Sequence, residues 1–125
     1  MQLSNNFNLS EFNCNDGSAT PDNIIVNLRL LAEQLQVLRD FVGKSITINS
    51  GYRSPSYNKK IGGVSNSQHV KGFAADIRIE GITPSQVHSI ISELIKDGRM
   101  SEGGLGKYSS FTHYDIRGTK ARWNG

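Results

Sequence analysis

His69, Asp76, His113 and Asp115 are the residues whose type and spacing can carry chemistry. His69 and Asp76 bracket the stretch HVKGFAAD, which leaves a Gly/Ser/Asn-rich loop and enters a segment that reads as a strand. His113 and Asp115 stand two apart in FTHYDIRG, so on a strand they share one face and Tyr114 takes the other. If Asp76 and His113 occupy neighbouring strands and face the same way, the loop carrying His69 can complete a set of two imidazoles and one carboxylate. Three N/O ligands with a fourth position left to water make a catalytic zinc site. Zinc lowers the pKa of that water to roughly 7, which provides a nucleophile at neutral pH. A structural zinc would more often use four ligands with cysteines among them, and the chain has only Cys14. The spacing also permits a metal-free arrangement in which Asp115 pairs with Arg117 or Arg53. His88 follows Val87 inside a helical segment, away from carboxylate-rich stretches, and reads as a helix-flank residue.

These residues need elements to hold them. A helix is expected after Thr20-Pro21, with Thr20 as cap and proline at the first helical position. Leu28, Leu31, Leu35, Leu38 and Val42 form its apolar stripe and Gly43 its stop. The alternation of Ile46 and Ile48 predicts a strand over 45–49. Ser54-Pro55 starts a short helix to Lys60, and a polar loop follows from Gly62 to Gln68. Over 74–80 a second strand sets Ile77 and Ile79 on one side, Asp76 and Arg78 on the other. Thr83-Pro84 with Gln86 is a capping box for a helix carrying Val87, Ile90, Ile91, Leu94 and Ile95, closed by Gly98. Strands are expected over 103–106 and 111–117. The order lacks a strict strand–helix alternation and predicts an α+β fold, a small mostly antiparallel sheet packed against helices.

The totals narrow the function classes. A chain of 125 residues suits one domain, 1–125, that buries a core without disulfides. Cys14 reads as a small core residue. The net charge of +3 is spread along the chain, which suits an acidic polymer better than nucleic acid, for which a basic patch interleaved with aromatics is missing. No apolar run is long enough to span a membrane. The first ten residues are polar and do not resemble a secretory signal, so synthesis in the cytoplasm is expected, with action on the cell wall after release. No heptad pattern or long apolar patch suggests a dimer, and a monomer is expected.

SQHVKGFAADI fits the S-x-H-x-x-G-x-x-x-D signature of the zinc D-Ala-D-Ala carboxypeptidase family of metallopeptidases, and FTHYDIRG resembles the second, H-x-D signature of one branch. ITINSGYRSPSYN, LSEFNC, the leucine-rich first helix and the terminal ARW are similar to that branch as well, so the resemblance covers nearly the whole chain. It implies the hedgehog/DD-peptidase fold and one zinc ion per chain, held by His69, Asp76 and His113. Arg53 matches the arginine that contacts a substrate carboxylate or carbonyl, and Ser67 the small polar residue near the bound peptide. Gly72 is the signature glycine, where a side chain would crowd loop against strand. Many relatives carry an acidic general base three residues before the last histidine. Ser110 stands there and cannot serve, which leaves Asp115 as general base or as a residue orienting a ligand.

The implied activity is hydrolysis of peptide bonds in peptidoglycan stem peptides by metal-activated water, as a D,D-carboxypeptidase or an endopeptidase. A phage or mobile-element origin would account for the lack of a signal segment. Two other classes remain open: a zinc-holding but inactive module that binds wall or protein, and a metal-free α+β interaction protein. Cobalt or nickel fits the same ligand set.

Overall fold

The computed structural model describes residues 1–125. A hairpin of β1 (Gln2–Ser4) and β2 (Phe7–Asn8) leads through a 3-10 turn, Leu9–Glu11, to α1 (Asp22–Val42). Next come β3 (Ile46–Ser50), α2 (Pro55–Lys60), β4 (Ala74–Ile79), α3 (Pro84–Lys96), β5 (Gly104–Lys107), β6 (Thr112–Asp115) and β7 (Ala121–Asn124). The five-stranded sheet runs β3-β4-β6-β5-β7. Its pairs are antiparallel except β5 with β7, which run parallel. The fold is therefore α+β, with the mostly antiparallel sheet that the sequence implies.

The sheet divides its two faces between packing and chemistry because side chains alternate along each strand. Ala75, Ile77 and Ile79 of β4, Leu105 of β5 and Tyr114 of β6 enter one apolar cluster with Leu28, Leu31, Leu35 and Leu38 of α1 and Val87, Ile91 and Leu94 of α3. The opposite face of the two central strands carries Asp76, His113 and Asp115. Burying one face fixes the register, since a slip by one residue would turn every apolar side chain outward. Tyr114, fully buried, donates its hydroxyl to the Ser101 carbonyl at 2.7 Å.

Several local expectations need correction. Thr20 does not cap α1: its hydroxyl donates to Asn13 Oδ1 at 2.8 Å, and Pro21 occupies the N-cap position without a side-chain bond. The Pro21 carbonyl instead accepts the first helical N–H groups, from Ile24 and Ile25. β6 ends at Asp115 rather than at residue 117. Its last carboxylate takes the N–H groups of Gly104 and Arg117, donors that a longer ladder would have used. The β1–β2 hairpin and β7 carry no sequence alternation long enough to announce them, and β7 forms by docking on β5.

Gly72 crowds a different neighbour from the one expected. It has φ +76°, and a Cβ there would lie 2.7 Å from Ile24 Cγ2 and 3.2 Å from the Ile24 carbonyl oxygen, both on α1. The glycine lets the turn between His69 and Asp76 lie against that helix. Gly72→Ala combines a left-handed backbone with a steric clash and is expected to cost about 2 kcal/mol of stability. A shift of the urea midpoint at unchanged m-value would measure it, and an unchanged midpoint would contradict the packing described.

Candidate metal centre

Strand register brings the first two site residues together. Asp76 of β4 lies directly opposite His113 of β6. Asp76 Oδ1 sits 3.0 Å from His113 Nδ1 and 3.3 Å from His69 Nε2. His69 arrives from the turn before β4, and its backbone is tied in on both sides: its N–H donates to Ser67 Oγ at 3.2 Å, and its carbonyl accepts the Arg53 N–H at 3.1 Å. One ligand atom from each of His69, Asp76 and His113 lies within 4.8 Å of the others. All three residues are buried.

The outer contacts of the two rings decide which nitrogens face inward with lone pairs. His69 Nδ1 lies 2.8 Å from the Gly51 carbonyl oxygen, which can only accept, so Nδ1 carries the proton and Nε2 is the acceptor. His113 Nε2 donates to Asp115 Oδ2 at 2.7 Å, which leaves Nδ1 facing Asp76. Neutral rings in these tautomers would aim two nitrogen lone pairs at one carboxylate oxygen. Such a cluster needs a cation at its centre, either a proton or a metal ion. In a tetrahedral site with ligand bonds of about 2.0–2.1 Å the ligand atoms stand roughly 3.3 Å apart. The Asp76-to-ring distances match that spacing, so the residues fit a zinc ion bound by His69 Nε2, Asp76 and His113 Nδ1.

Electrostatics without a metal agree with this arrangement. Burial pushes the Asp76 pKa up, but hydrogen bonds with His113 and His69 outweigh it and hold the carboxyl well below the usual carboxylate range. Burial pushes His113 down, but its bonds to Asp115 and Asp76 outweigh that and hold the ring above the ordinary histidine value. Both shifts favour a positively charged His113 ring beside an ionised Asp76 when no metal is bound.

Asp115 is fully buried, and both of its oxygens are engaged. Oδ1 accepts from the N–H of Gly104 at 2.8 Å, the N–H of Arg117 at 3.1 Å and Arg117 Nε at 2.9 Å. Oδ2 accepts from His113 Nε2 and from Arg117 Nη2, each at 2.7 Å. Burial raises its pKa, but the bonds from His113 and Arg117 outweigh this and keep it ionised. Glycines on β5 make the room. A Cβ at Gly104 would lie 2.2 Å from Asp115 Oδ2, and one at Gly106 would lie 2.4 Å from the Trp123 ring. Trp123 of β7 packs against the His113 ring at 5.0 Å between centroids, with the Arg117 guanidinium 5.4 Å over its indole.

The cluster opens into a cleft of about 560 Å³. Arg53 and Ser67 both line it. Tyr108 and Phe111, stacked at 4.4 Å, stand on the wall with Trp123, whose Nε1 donates to the Tyr108 hydroxyl at 2.8 Å. Gly62, Gly63, Val64 and Asn66 also line the cleft, with Val64 well exposed. His88 lies on α3, outside this cleft. Sequence reasoning missed Trp123 as a part of the site, and it missed the purpose of Gly104 and Gly106. The signal for the glycines was present in GGLG, where every second position of a strand lacks a side chain.

Residues 5–115 match the family model described as Peptidase M15. The chain belongs to the peptidase M15 family. It is 38% identical over 78 residues to the zinc D-Ala-D-Ala carboxypeptidase of Streptomyces albus G, a stretch covering 58% of this chain and 31% of that protein. It is 34% identical over 102 residues to the peptidoglycan L,D-endopeptidase MepK of Escherichia coli strain K12, covering 74% of this chain and 52% of MepK. The chain thus matches about a third to a half of the length of these relatives.

In this M15 chain Ser110 does not line the cleft. It belongs to a separate depression beside Thr112 and Pro84. Asp76 is the only carboxylate among the cleft residues. Zinc and a proton compete for the His113 Nδ1 lone pair, so affinity should fall as pH falls, with protons released on binding. Calorimetric zinc titrations in two buffers of different ionisation enthalpy would count those protons. Asp115→Asn should weaken zinc binding by about 10–100-fold in a competing-chelator titration, and it should release fewer protons because the carboxylate that raises the His113 pKa is gone.

Proposed function

We propose that this chain is a zinc-dependent hydrolase of peptide bonds in peptidoglycan stem peptides. The observation that carries the reading is the convergence of three potential ligand atoms, on His69, Asp76 and His113, at the floor of an open cleft that also holds Arg53. Bound zinc supplies Lewis-acid polarisation of the scissile carbonyl and a water acidified to near neutral pH. Arg53 presents its guanidinium beside Asp76 and holds a substrate carboxylate or stabilises the carbonyl oxygen as charge develops on it. Ser67 stands beside His69, where its hydroxyl can meet the peptide backbone. Asp115 acts as the residue that orients His113: it lies on the far side of the ring from Asp76, and five donors already fill its oxygens. The two relatives, one named a zinc D-Ala-D-Ala carboxypeptidase and one a peptidoglycan L,D-endopeptidase, support the substrate class.

The cleft favours a second reading through one feature. No carboxylate other than Asp76 lines it, so a dedicated general base is missing where many relatives have one. A zinc-holding module that binds wall peptide and cleaves it slowly has this composition. No helix is long and apolar enough to cross a membrane, which suits either reading.

Zinc content of protein purified without chelator, wild type beside His113→Ala, is the first test. About one zinc per chain is expected, and near none in the variant. Wild-type protein without zinc, even after adding it back, would defeat the proposal. Digestion of stem peptides with free and blocked C-termini, read by mass spectrometry, then separates carboxypeptidase from endopeptidase. Zinc binding and sacculus binding without any cleavage by the wild type would favour the module.

A further inference from the structure

Asn58 is the one buried residue of α2, at 2% exposure, next to Tyr57, which packs partly buried against the core. A primary amide at that depth needs partners for both of its ends. Its Nδ2 donates to the Val64 carbonyl at 2.7 Å, and its Oδ1 accepts from Arg53 Nη1 at 3.3 Å. Its own backbone carbonyl accepts the Gly63 N–H at 2.8 Å. Asn58 therefore grips the lip of the cleft twice and Arg53 once.

Gly63 is shaped to this contact. A Cβ there would lie 2.1 Å from Asn58 Oδ1. Gly63 has no left-handed backbone, unlike Gly62 at φ +79°. The glycine is required by the close approach of the amide and not by its own conformation.

Arg53 is held from two further sides. Nε donates to Ser50 Oγ at 3.1 Å and Nη2 to Asp76 Oδ2 at 3.3 Å. A guanidinium has five N–H groups. Three are committed to Ser50, Asn58 and Asp76, and two remain free on a side chain that lines the cleft.

We propose that Asn58 is a positioning residue, fixing the Arg53 guanidinium and the 62–67 lip against each other so that a substrate oxygen meets two N–H groups already in place. The proposal rests on the peptidase reading of the cleft and adds a residue to it. A free arginine side chain would lose rotamer freedom on binding, and Asn58 has it ordered beforehand. With a substrate carboxylate as the oxygen held by Arg53, the effect belongs to ground-state and transition-state binding alike, so it appears in KM more than in kcat.

A mutant cycle on the zinc-loaded chain with a stem peptide tests it. Asn58→Ala should raise KM about tenfold, the scale of one hydrogen bond to a charged group, with zinc content unchanged. Gly63→Ala, which displaces the amide without altering its chemistry, should do the same. The double variant should be no worse than Asn58→Ala, because the clash has vanished. In an Arg53→Ala background, Asn58→Ala should change KM less than about twofold. A wild-type KM in zinc-loaded Asn58→Ala would overturn the proposal. So would a full tenfold effect in the Arg53→Ala background, which marks a merely structural role. If the wild type cleaves nothing, the activity reading fails separately, and the same cycle is read in the Kd for the peptide by calorimetry. Absence of peptide binding by the wild type overturns both.

Discussion

The pairing of Asp76 with His113 across two antiparallel strands is the contact on which the rest of the site depends. It sets one carboxylate oxygen against one ring nitrogen at hydrogen-bond distance. Every other member is placed relative to that pair. His69 comes in from the preceding turn, Arg53 binds the second Asp76 oxygen, and Asp115 backs the far side of the His113 ring. The register of β4 against β6 is in turn locked by the apolar side chains on the reverse face, Ala75, Ile77 and Tyr114. Packing energy on one face thus becomes ligand geometry on the other.

Charge within the site is handled by successive layers. Two carboxylates and two arginines alternate around the imidazoles: Arg53 on Asp76, and Arg117 on Asp115. Each buried anion has a cationic neighbour, which offsets the cost of removing it from water. The resulting network holds the ligand atoms close together before any metal arrives. Little reorganisation is then left to accompany metal binding.

Much of this was legible in the sequence, and the legible part has a common cause. His69, Asp76, His113 and Asp115 could be picked out because their residue types are chemically distinctive and because strand alternation predicts which pairs share a face. The leucine stripe of α1 and the capping box of α3 were legible through helical spacing. Thr20 was misread because capping depends on where the first turn closes, and Thr20 binds Asn13 instead. Asn58 and Trp123 were illegible because their neighbours come from distant chain segments. Asn58 meets Arg53 and Val64 around a folded corner, and Trp123 reaches His113 only after β7 docks parallel to β5. Asp115 was legible as a participant. Its role depends on five donors, several of them backbone N–H groups that no residue pattern displays.

The bare face of β5 has a consequence for how this protein tolerates change. Gly104 and Gly106 contribute no functional group, yet the smallest possible side chain at either position would enter the volume held by Asp115 or Trp123. Gly63 stands in the same relation to Asn58. Some of the positions where drift is most constrained are therefore ones that a survey of reactive side chains would pass over. The site is defined by reserved emptiness as well as by its ligands, and a methyl group can occupy what a charge change elsewhere would leave untouched.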